Sequence, residues 1–395
     1  MRVLAIIALS GLLAAPGCGG ETDGGRSSAS QDGHFVAEMY VAPSGAPMGA
    51  DVGPTSGVAP GFSSLAAVRF HPSGLVVAPP PRDVVWAATL ASGTYAATTA
   101  NGHVVVSGAG GTTELDAAGT EVREAPWGGR IAVDAANDLF VATDGGTLTE
   151  YDATWTPAWT ATLADTLVGL AADGAGEPVV VGSSGAVTRF DHAGNVRWTV
   201  TVPGAVGAAM DDAGDVFVLA NDGGAVVVEA LCDAGAVQWH KSYAGADRQE
   251  GRFIVSDGAG DVIFTGLWHG TIDFGGGPMV FPGCCEGQFL GGFLVALGAS
   301  GGLLYETTHD RYYLGGLTVD PSGNAAVGGE FSDSPRSPDL TVFDRGGHPA
   351  WGAGSFGGNG GGLGTLTSLA ADAQGAVVEV VSSDTGTHVT KFAQQ

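Results

Sequence analysis

One short pattern recurs seven times along the chain and limits the folds open to it. Each copy has an apolar strand, a turn containing Gly or Asn, a second apolar strand, a glycine turn and a third strand. The first turn of each copy is found at Asn101-Gly102, Asn137-Asp138, Gly176, Gly214, Gly260, Gly323 and Gly375. The first four turns stand 35 to 39 residues apart. Four short strands with tight turns need about 40 residues, the length of one β-propeller blade.

A fourth strand in each copy is marked by an aromatic residue. We assign this position to Trp86, Trp127, Trp159, Trp198, Trp239, Tyr305 and Trp351. An aromatic residue at the same place in every copy predicts packing between neighbouring blades.

The two ends of the repeat region complement each other. The last copy, residues 366–395, supplies three strands and stops before the tryptophan strand, whereas residues 84–90 form an orphan strand of that type. Pairing the two closes a ring and removes both open sheet edges. We therefore expect an all-β fold, a single β-propeller over residues 82–395 with seven four-stranded blades. Six or eight blades are the alternatives, because residues 71–77 resemble a further turn, and an open β-sandwich or β-solenoid is the competing architecture.

The amino terminus has the features of a secretory signal. Met1-Arg2 precedes an apolar run over residues 3–15, which is too short for a stable membrane span. Residues 15–18, Ala-Pro-Gly-Cys, resemble the lipobox of bacterial lipoproteins, although Ala15 replaces the usual Leu and Pro16 is uncommon there. The resemblance implies a signal peptide over residues 1–18 and lipidation of Cys18. A plain cleaved signal or a cytosolic chain are the alternatives.

Residues 19–81 are rich in Gly, Ser, Pro and Ala and have no sustained periodicity. We interpret them as a partly ordered tether behind the lipid anchor. The expected location is the bacterial cell envelope, as an outer-membrane lipoprotein facing the periplasm or the cell surface.

The charge balance excludes one class of partner. The chain has 15 basic and 41 acidic residues and a net charge of −26. Such a surface cannot neutralise a row of phosphates, which excludes nucleic acid, and it disfavours contact with anionic lipid. We expect membrane contact only through the lipid anchor.

Two repeat families resemble parts of the chain. Residues 270–277, Gly-Thr-Ile-Asp-Phe-Gly-Gly-Gly, and residues 292–301 resemble the bacterial surface repeats called SBBP. Residues 179–198 resemble the PQQ-like repeat, which also occurs in outer-membrane assembly lipoproteins of the BamB type. Both resemblances imply a propeller, but propellers host binding, scaffold and catalytic roles alike.

Cys284 and Cys285 are adjacent, as in the vicinal disulfide that quinoprotein dehydrogenases of the PQQ class place against their cofactor. This chain is much shorter than those enzymes, and we find no acidic cluster for a calcium beside a quinone. We therefore predict no cofactor. In an oxidising compartment we expect a ring between these two cysteines, or a bond from one of them to Cys232.

Other polar motifs predict turns rather than chemistry. The D-x-x-G-type segments 212–215, 257–261 and 320–324 lack the length and glutamate of an EF-hand loop, so they are interpreted as structural turns without a metal. No histidine pair has zinc-site spacing and no G-x-S-x-G elbow occurs, so no catalytic residue is assigned. Trp268 and His269 border the insertion over residues 266–292 and are our candidates for a binding rim.

The sequence therefore favours a lipid-anchored scaffold that binds an unknown protein or glycan of the cell envelope. The alternatives are an outer-membrane assembly factor of the BamB type and, less favoured, a glycan-active or quinone-dependent propeller enzyme.

Overall fold

The computed structural model describes residues 68–71, 74–77, 83–245, 247–281, 291–309, 311–331, 334–354 and 364–394. Every regular element in these ranges is a β-strand. The chain divides into two units between Val77 and Ala78. In the first unit, β1 (Val68–His71) and β2 (Gly74–Val77) form an antiparallel two-stranded sheet. The described residues of the turn-like segment 71–77 thus belong to a separate two-stranded sheet and not to an eighth blade.

The second unit contains seven four-stranded sheets, the blades of a β-propeller. The strands of the first two are β4 (Tyr95–Thr98), β5 (Val104–Gly108), β6 (Gly111–Leu115) and β7 (Glu121–Ala125) in blade 1, and β8 (Arg130–Val133), β9 (Leu139–Ala142), β10 (Thr147–Tyr151) and β11 (Pro157–Thr162) in blade 2. Those of the next two are β12 (Leu167–Ala172), β13 (Pro178–Gly182), β14 (Ala186–Phe190) and β15 (Val196–Thr201) in blade 3, and β16 (Ala205–Met210), β17 (Val216–Asp222), β18 (Ala225–Leu231) and β19 (Val237–Ala244) in blade 4.

Blade 5 carries an inserted hairpin between its second and third strands. It is built from β20 (Gln249–Ser256), β21 (Val262–Trp268), β24 (Gly291–Leu297) and β25 (Leu303–His309), and the insert is β22 (Gly270–Asp273) with β23 (Pro278–Phe281). Blade 6 has β26 (Arg311–Val319), β27 (Ala325–Phe331), β28 (Ser334–Phe343) and β29 (Pro349–Gly354).

Blade 7 joins the two ends of the propeller. Its strands are β30 (Gly364–Ala371), β31 (Val377–Ser383), β32 (Gly386–Phe392) and β3 (Val84–Leu90). The register pairs Trp86 with Lys391 and Leu90 with Thr387. The first strands of all seven blades also contact one another in a complete circle, including β30 with β4. The seven-bladed, closed all-β fold expected from the repeat is confirmed.

The first hairpin of each blade explains the repeated turn motif. In blade 3, Oδ1 of Asp173 accepts backbone hydrogen bonds from Ala175 (3.1 Å) and Glu177 (2.9 Å). Five further blades use the same arrangement, through Asp134, Asp211, Asp257, Asp320 and Asp372. These aspartates stabilise turns, and in the segment 212–215 the capping carboxylate belongs to the preceding Asp211.

The apolar core lies between adjacent blades. The cluster between blades 4 and 5 is extensive and includes the buried rings of Phe217, Phe264 and Phe293. Between blades 1 and 2, by contrast, the buried apolar cluster consists of Val105, Leu139 and Val141, with partly buried aromatic residues packed against it. Among the clusters of the described residues, this one has the fewest buried members.

Because the strands of a blade are antiparallel, the first and third hairpins lie at one end and the second hairpin at the other. We call the end with the first and third hairpins the turn face. The β22–β23 insert belongs to the opposite end.

Candidate functional site

Five blade junctions share one packing device on the turn face. An aromatic ring from the outermost strand of one blade packs on a glycine in the third hairpin of the next. The pairs are Trp86–Gly119, Trp159–Gly194, Trp198–Gly235, Trp239–Gly301 and Tyr305–Gly347. These glycines have φ between 76° and 81°, and a Cβ atom on any of them would lie 2.5 to 2.9 Å from the ring. Only glycine fits there, for both conformation and space.

A hydrogen bond accompanies the packing at the four tryptophans. The indole Nε1 of Trp198, for example, donates to the carbonyl oxygen of Asp233 at 2.8 Å, and that of Trp86 donates to Ala117 at 3.0 Å. The prediction that the repeated aromatic packs between blades is confirmed at these junctions.

The junction between blades 1 and 2 departs from this device at both positions. In the strand register, Arg123 pairs with Glu114 as Trp159 pairs with Glu150, so Arg123 occupies the place of the aromatic residue. In the third hairpin of blade 2, Trp155 occupies the place of the glycine, at φ 67°. The aromatic residue of this junction therefore lies in the turn and not in the outermost strand.

Arg123 preserves the contacts of the missing tryptophan by other means. Its Nη2 donates to the carbonyl oxygen of Ala153 at 2.9 Å, and its guanidinium carbon lies 4.2 Å from the ring centroid of Trp155. This is cation–π geometry. The junction is therefore bridged by a guanidinium group in place of an indole ring.

Trp127 is not the aromatic residue of blade 1, and that assignment is wrong. It follows the end of β7 and stacks on Tyr151 with 4.0 Å between centroids and 14° between planes. Its ring also lies 5.1 Å from that of Trp155.

A cavity of about 310 Å³ lies at this junction. Its lining includes His103, Glu114, Val122, Arg123, Asn137 and Trp155. Val105 and Leu139 also border it, and each is only 1% exposed. We call it the junction pocket. Its size is at the lower end of small-molecule sites, which span roughly 300–1,000 Å³.

One buried carboxylate organises the charges of the junction pocket. The side chain of Glu114 is 6% exposed; its Oε1 lies 2.7 Å from Nδ1 of His103, and its Oε2 accepts a hydrogen bond from Nε of Arg123. The acid is thus held between two basic groups.

Several polar atoms around the junction pocket have no protein partner within the described residues. Oδ1 of Asn137 accepts from the backbone of Ala100 at 2.7 Å, and Oδ1 of Asn101 accepts from Thr99, which leaves both Nδ2 groups available. Nε2 of His103 is available in the same way, because Nδ1 makes the contact to Glu114. A ligand in the pocket would meet amide and imidazole groups.

In two other blades, the third-strand position equivalent to Glu114 is occupied by a basic residue. Blade 3 has Arg189, which is 1% exposed and lies 2.8 Å from Asp173 and 3.0 Å from Glu177. Blade 7 has Lys391, 2.7 Å from the buried carboxylate of Asp372.

Blade 2 has Glu150 at that position. Burial raises the pKa of Glu150, and repulsion from Asp138 and Asp134 raises it further. Burial also raises the pKa of Asp134. These acids therefore take up protons more readily than ordinary carboxyls.

Comparison with known proteins identifies the repeat. Residues 73–274 match the family described as outer membrane protein assembly factor BamB, and this stretch is slightly more than half of the 395 residues. The chain belongs to this family. Its blades are PQQ-like propeller repeats, as the resemblance over residues 179–198 predicted. No match was found among curated proteins.

Solved structures share the fold of this BamB-family chain. Hydrazine synthase of Kuenenia stuttgartiensis is 12% identical, with a TM-score of 0.61, and the match covers 78% of this chain and 97% of the synthase chain. BamB from Moraxella catarrhalis is 18% identical, with a TM-score of 0.50, and the match covers 79% of this chain and all of that one (100%). At such identities the likeness concerns the propeller fold alone.

The predicted rim residues lie on the inserted side of blade 5. The ring of Trp268 is 1% exposed and lies 6.3 Å from Phe293, so it belongs to the core and not to an accessible rim. His269 is partly exposed, with Nδ1 2.6 Å from Oδ2 of Asp247. The insert itself buries Ile272 and Phe274. A ligand-binding role for this region stays a prediction.

One of the four cysteines, Cys232, lies within the described residues. It is disulfide-bonded and lies at the start of the third hairpin of blade 4, where blades 1, 2, 3 and 6 have Asp. Cys18, Cys284 and Cys285 lie outside the described residues. The lipidation of Cys18 and the disulfide pairing stay predictions.

Within the described residues, no helix is long and apolar enough to cross a bilayer. The same residues contain no group of three or more His, Cys, Asp or Glu placed to hold a metal ion.

Proposed function

We propose that this BamB-family protein is a lipid-anchored scaffold of the bacterial cell envelope that binds its partner on the turn face, at the junction between blades 1 and 2. The observation that carries the proposal is the junction pocket. There the aromatic-on-glycine packing used at five other junctions is replaced by a polar cavity with available hydrogen-bonding groups.

The partner in this proposal is a protein or glycan of the envelope. Propellers commonly bind through residues presented at one end of a rigid ring, and the ring here is closed by the β3–β32 pairing. The sheet of blade 1 holds Glu114 and Arg123 in place before a partner arrives, and Glu114 in turn holds His103, which limits the entropy lost on binding.

Site-specific crosslinking in cells tests the scaffold role. Val122 borders the pocket and is 52% exposed, whereas Val85 stands one residue before Trp86 as Val122 stands before Arg123, and is 53% exposed. A photo-crosslinking amino acid at Val122 should give discrete adducts with an envelope component, and the same probe at Val85 should give none. Equal labelling at both positions would contradict a partner at the junction.

The envelope location is supported by membership of a family described as an outer membrane protein assembly factor. The anchor is proposed from the lipobox-like residues 15–18, with residues 19–81 as the tether. Cys18→Ser should move the protein from the membrane fraction to the soluble envelope fraction and abolish labelling by a fatty-acid analogue. Labelling that persists in Cys18→Ser would exclude this anchor, and protease accessibility on intact cells would decide which side it faces.

Outer-membrane protein assembly is the second candidate, and the family match over residues 73–274 favours it. Deleting the gene should then lower the amount of folded outer-membrane β-barrel protein, measured by heat-modifiable migration in gels. Unchanged β-barrel levels in the deletion strain would leave the scaffold role without an assembly function.

A further inference from the structure

We infer that the junction pocket binds a neutral saccharide. This inference rests on the proposed binding role and names the class of ligand that the pocket takes. It concerns residues of blades 1 and 2 only and is independent of the lipid anchor.

The cavity lies beside the replaced residue pair. At the junction between blades 3 and 4, the ring of Trp198 packs on Gly235. At the junction between blades 1 and 2, Arg123 lies over the ring of Trp155, and both residues line a cavity of about 310 Å³. That volume accommodates a short saccharide.

The polar groups are of the kind that hydroxyl groups need. Sugar hydroxyls both donate and accept, so they pair well with amides, imidazoles and planar guanidinium groups. Nδ2 of Asn101, Nδ2 of Asn137 and Nε2 of His103 surround one cavity, and Arg123 adds planar donors beside them. Val122, which is 52% exposed, and the ring of Trp155 supply apolar surface for the carbon–hydrogen faces of a sugar.

The charges disfavour an ionic ligand. The guanidinium of Arg123 is already paired with Glu114, so the pocket offers no spare positive charge to an anion. The chain as a whole carries a net charge of −26, which repels anions further. Glu114 in turn lies against Arg123 and His103 and has no unpaired charge for a cation.

The backbone at Trp155 agrees with a binding role. A φ of 67° is unfavourable for a bulky side chain, and the equivalent residues of five other blades are glycines. Strained residues of this kind concentrate at ligand sites, where the surrounding structure holds them.

Ligand-observed saturation-transfer NMR on the detergent-solubilised full chain tests the inference. The probes are N,N′-diacetylchitobiose, maltose and lactose, with inorganic phosphate as a competitor. At least one sugar should receive saturation, and phosphate should not displace it. The absence of saturation for all three sugars, or displacement by phosphate, would overturn the inference.

Two variants locate the signal. Asn137→Gly removes the amide but tolerates φ 67°, and it should weaken sugar binding at least tenfold. Its control is Asn195→Gly, an exposed asparagine in the third hairpin of blade 3, which should bind as the wild type does. Arg123→Trp combined with Trp155→Gly restores the aromatic-on-glycine pair and should abolish binding. Unchanged affinity in both pocket variants would place the sugar elsewhere and refute the site.

The crosslinking at Val122 keeps the two proposals apart. Discrete adducts in cells together with no sugar binding would retain the scaffold role and reject the saccharide. Sugar binding without adducts would retain the saccharide site and reject the scaffold role.

Discussion

The junction between blades 1 and 2 and the junction between blades 3 and 4 use one backbone arrangement with two different contents. In both, a side chain from the outermost strand donates a hydrogen bond to a turn carbonyl of the next blade, from Arg123 to Ala153 or from Trp198 to Asp233. Between blades 3 and 4 a ring then covers Gly235, whereas between blades 1 and 2 a guanidinium group covers Trp155. We call the former the solid junction and the latter, which contains the junction pocket, the open junction. Because the shared hydrogen bond joins neighbouring blades at both junctions, the packing residues can differ without changing the arrangement of the blades.

The same two junctions differ in buried charge. Beside the solid junction, Arg189 is enclosed by Asp173, Glu177 and Asp233, and Arg197 adds a second contact to Asp233. Beside the open junction, the equivalent third-strand position of blade 1 holds Glu114, which is paired with Arg123 and His103. The ion network of the solid junction is internal, whereas Glu114, Arg123 and His103 all line a cavity.

The largest expected effect comes from removing the centre of that network. Arg189→Ala leaves the carboxylates of Asp173 and Glu177 without their buried partner, and it should lower the free energy of unfolding by about 3–5 kcal/mol. Urea unfolding followed by tryptophan fluorescence measures it. The control is Arg248→Ala, an arginine that is 66% exposed and lies 3.2 Å from the partly exposed Glu250, where we expect a loss of about 1 kcal/mol or less. Equal losses in the two variants would contradict the role of burial.

A smaller effect is expected from the glycine of the solid junction. Gly235→Ala places a methyl group about 2.9 Å from the ring of Trp198 in a backbone at φ 79°, and should cost about 2–4 kcal/mol. Gly223→Ala is the matched control, because it has φ 58° but nothing within 4 Å of the added atom. The control should cost about 1 kcal/mol, and similar unfolding midpoints for the two would show that ring packing contributes nothing.

Converting the open junction into the aromatic-on-glycine type should destabilise the protein. Arg123→Trp with Trp155→Gly relieves the backbone at residue 155, but it leaves the carboxylate of Glu114, which is 6% exposed, without its arginine. We expect a net loss of about 1–2 kcal/mol in the free energy of unfolding, because the unpaired buried charge outweighs the relieved backbone. Urea unfolding measures the loss, and a double variant more stable than the wild type would contradict the role of Arg123 as the partner of Glu114.

The smallest effect is a change in pH dependence at blade 2. The folded-state pKa of Glu150 is raised by burial, so the folded protein holds a proton more tightly than the unfolded chain does. Its contribution is present below pH 4.5, the ordinary value, and is lost as pH rises through the raised folded-state value. Glu150→Gln should therefore flatten part of the fall in stability above pH 4.5, measured by urea unfolding across pH. If stability falls with pH equally steeply in the variant and the wild type, the raised pKa of Glu150 is contradicted.

The ring itself was accessible to sequence reasoning because it depends on repeated local chemistry. Left-handed turn positions recur at Gly102, Asn137, Gly176 and their equivalents, so counting turns counted blades. The orphan strand with Trp86 revealed the closure, since the last copy supplies three strands and needs a fourth from the other end of the propeller.

The junction pocket was missed because blade 1 was aligned on its nearest tryptophan. Trp127 attracted the alignment, although Arg123 holds the aromatic position in the register. A signal was present: the third hairpin of blade 2 reads Asp152-Ala-Thr-Trp155, where the corresponding turn of blade 1 reads Asp116-Ala-Ala-Gly119. A tryptophan in a glycine position marks a changed contact, but the partner across the junction is evident only once the strands are paired.

The most direct test of the open junction is a crystal structure of the wild-type protein soaked with the sugar that binds best in solution. We predict sugar density in the junction pocket, within hydrogen-bonding distance of Nε2 of His103 and Nδ2 of Asn137, with Arg123 still stacked on Trp155. A pocket holding only solvent at a saturating sugar concentration, or sugar bound at another junction, would contradict the account.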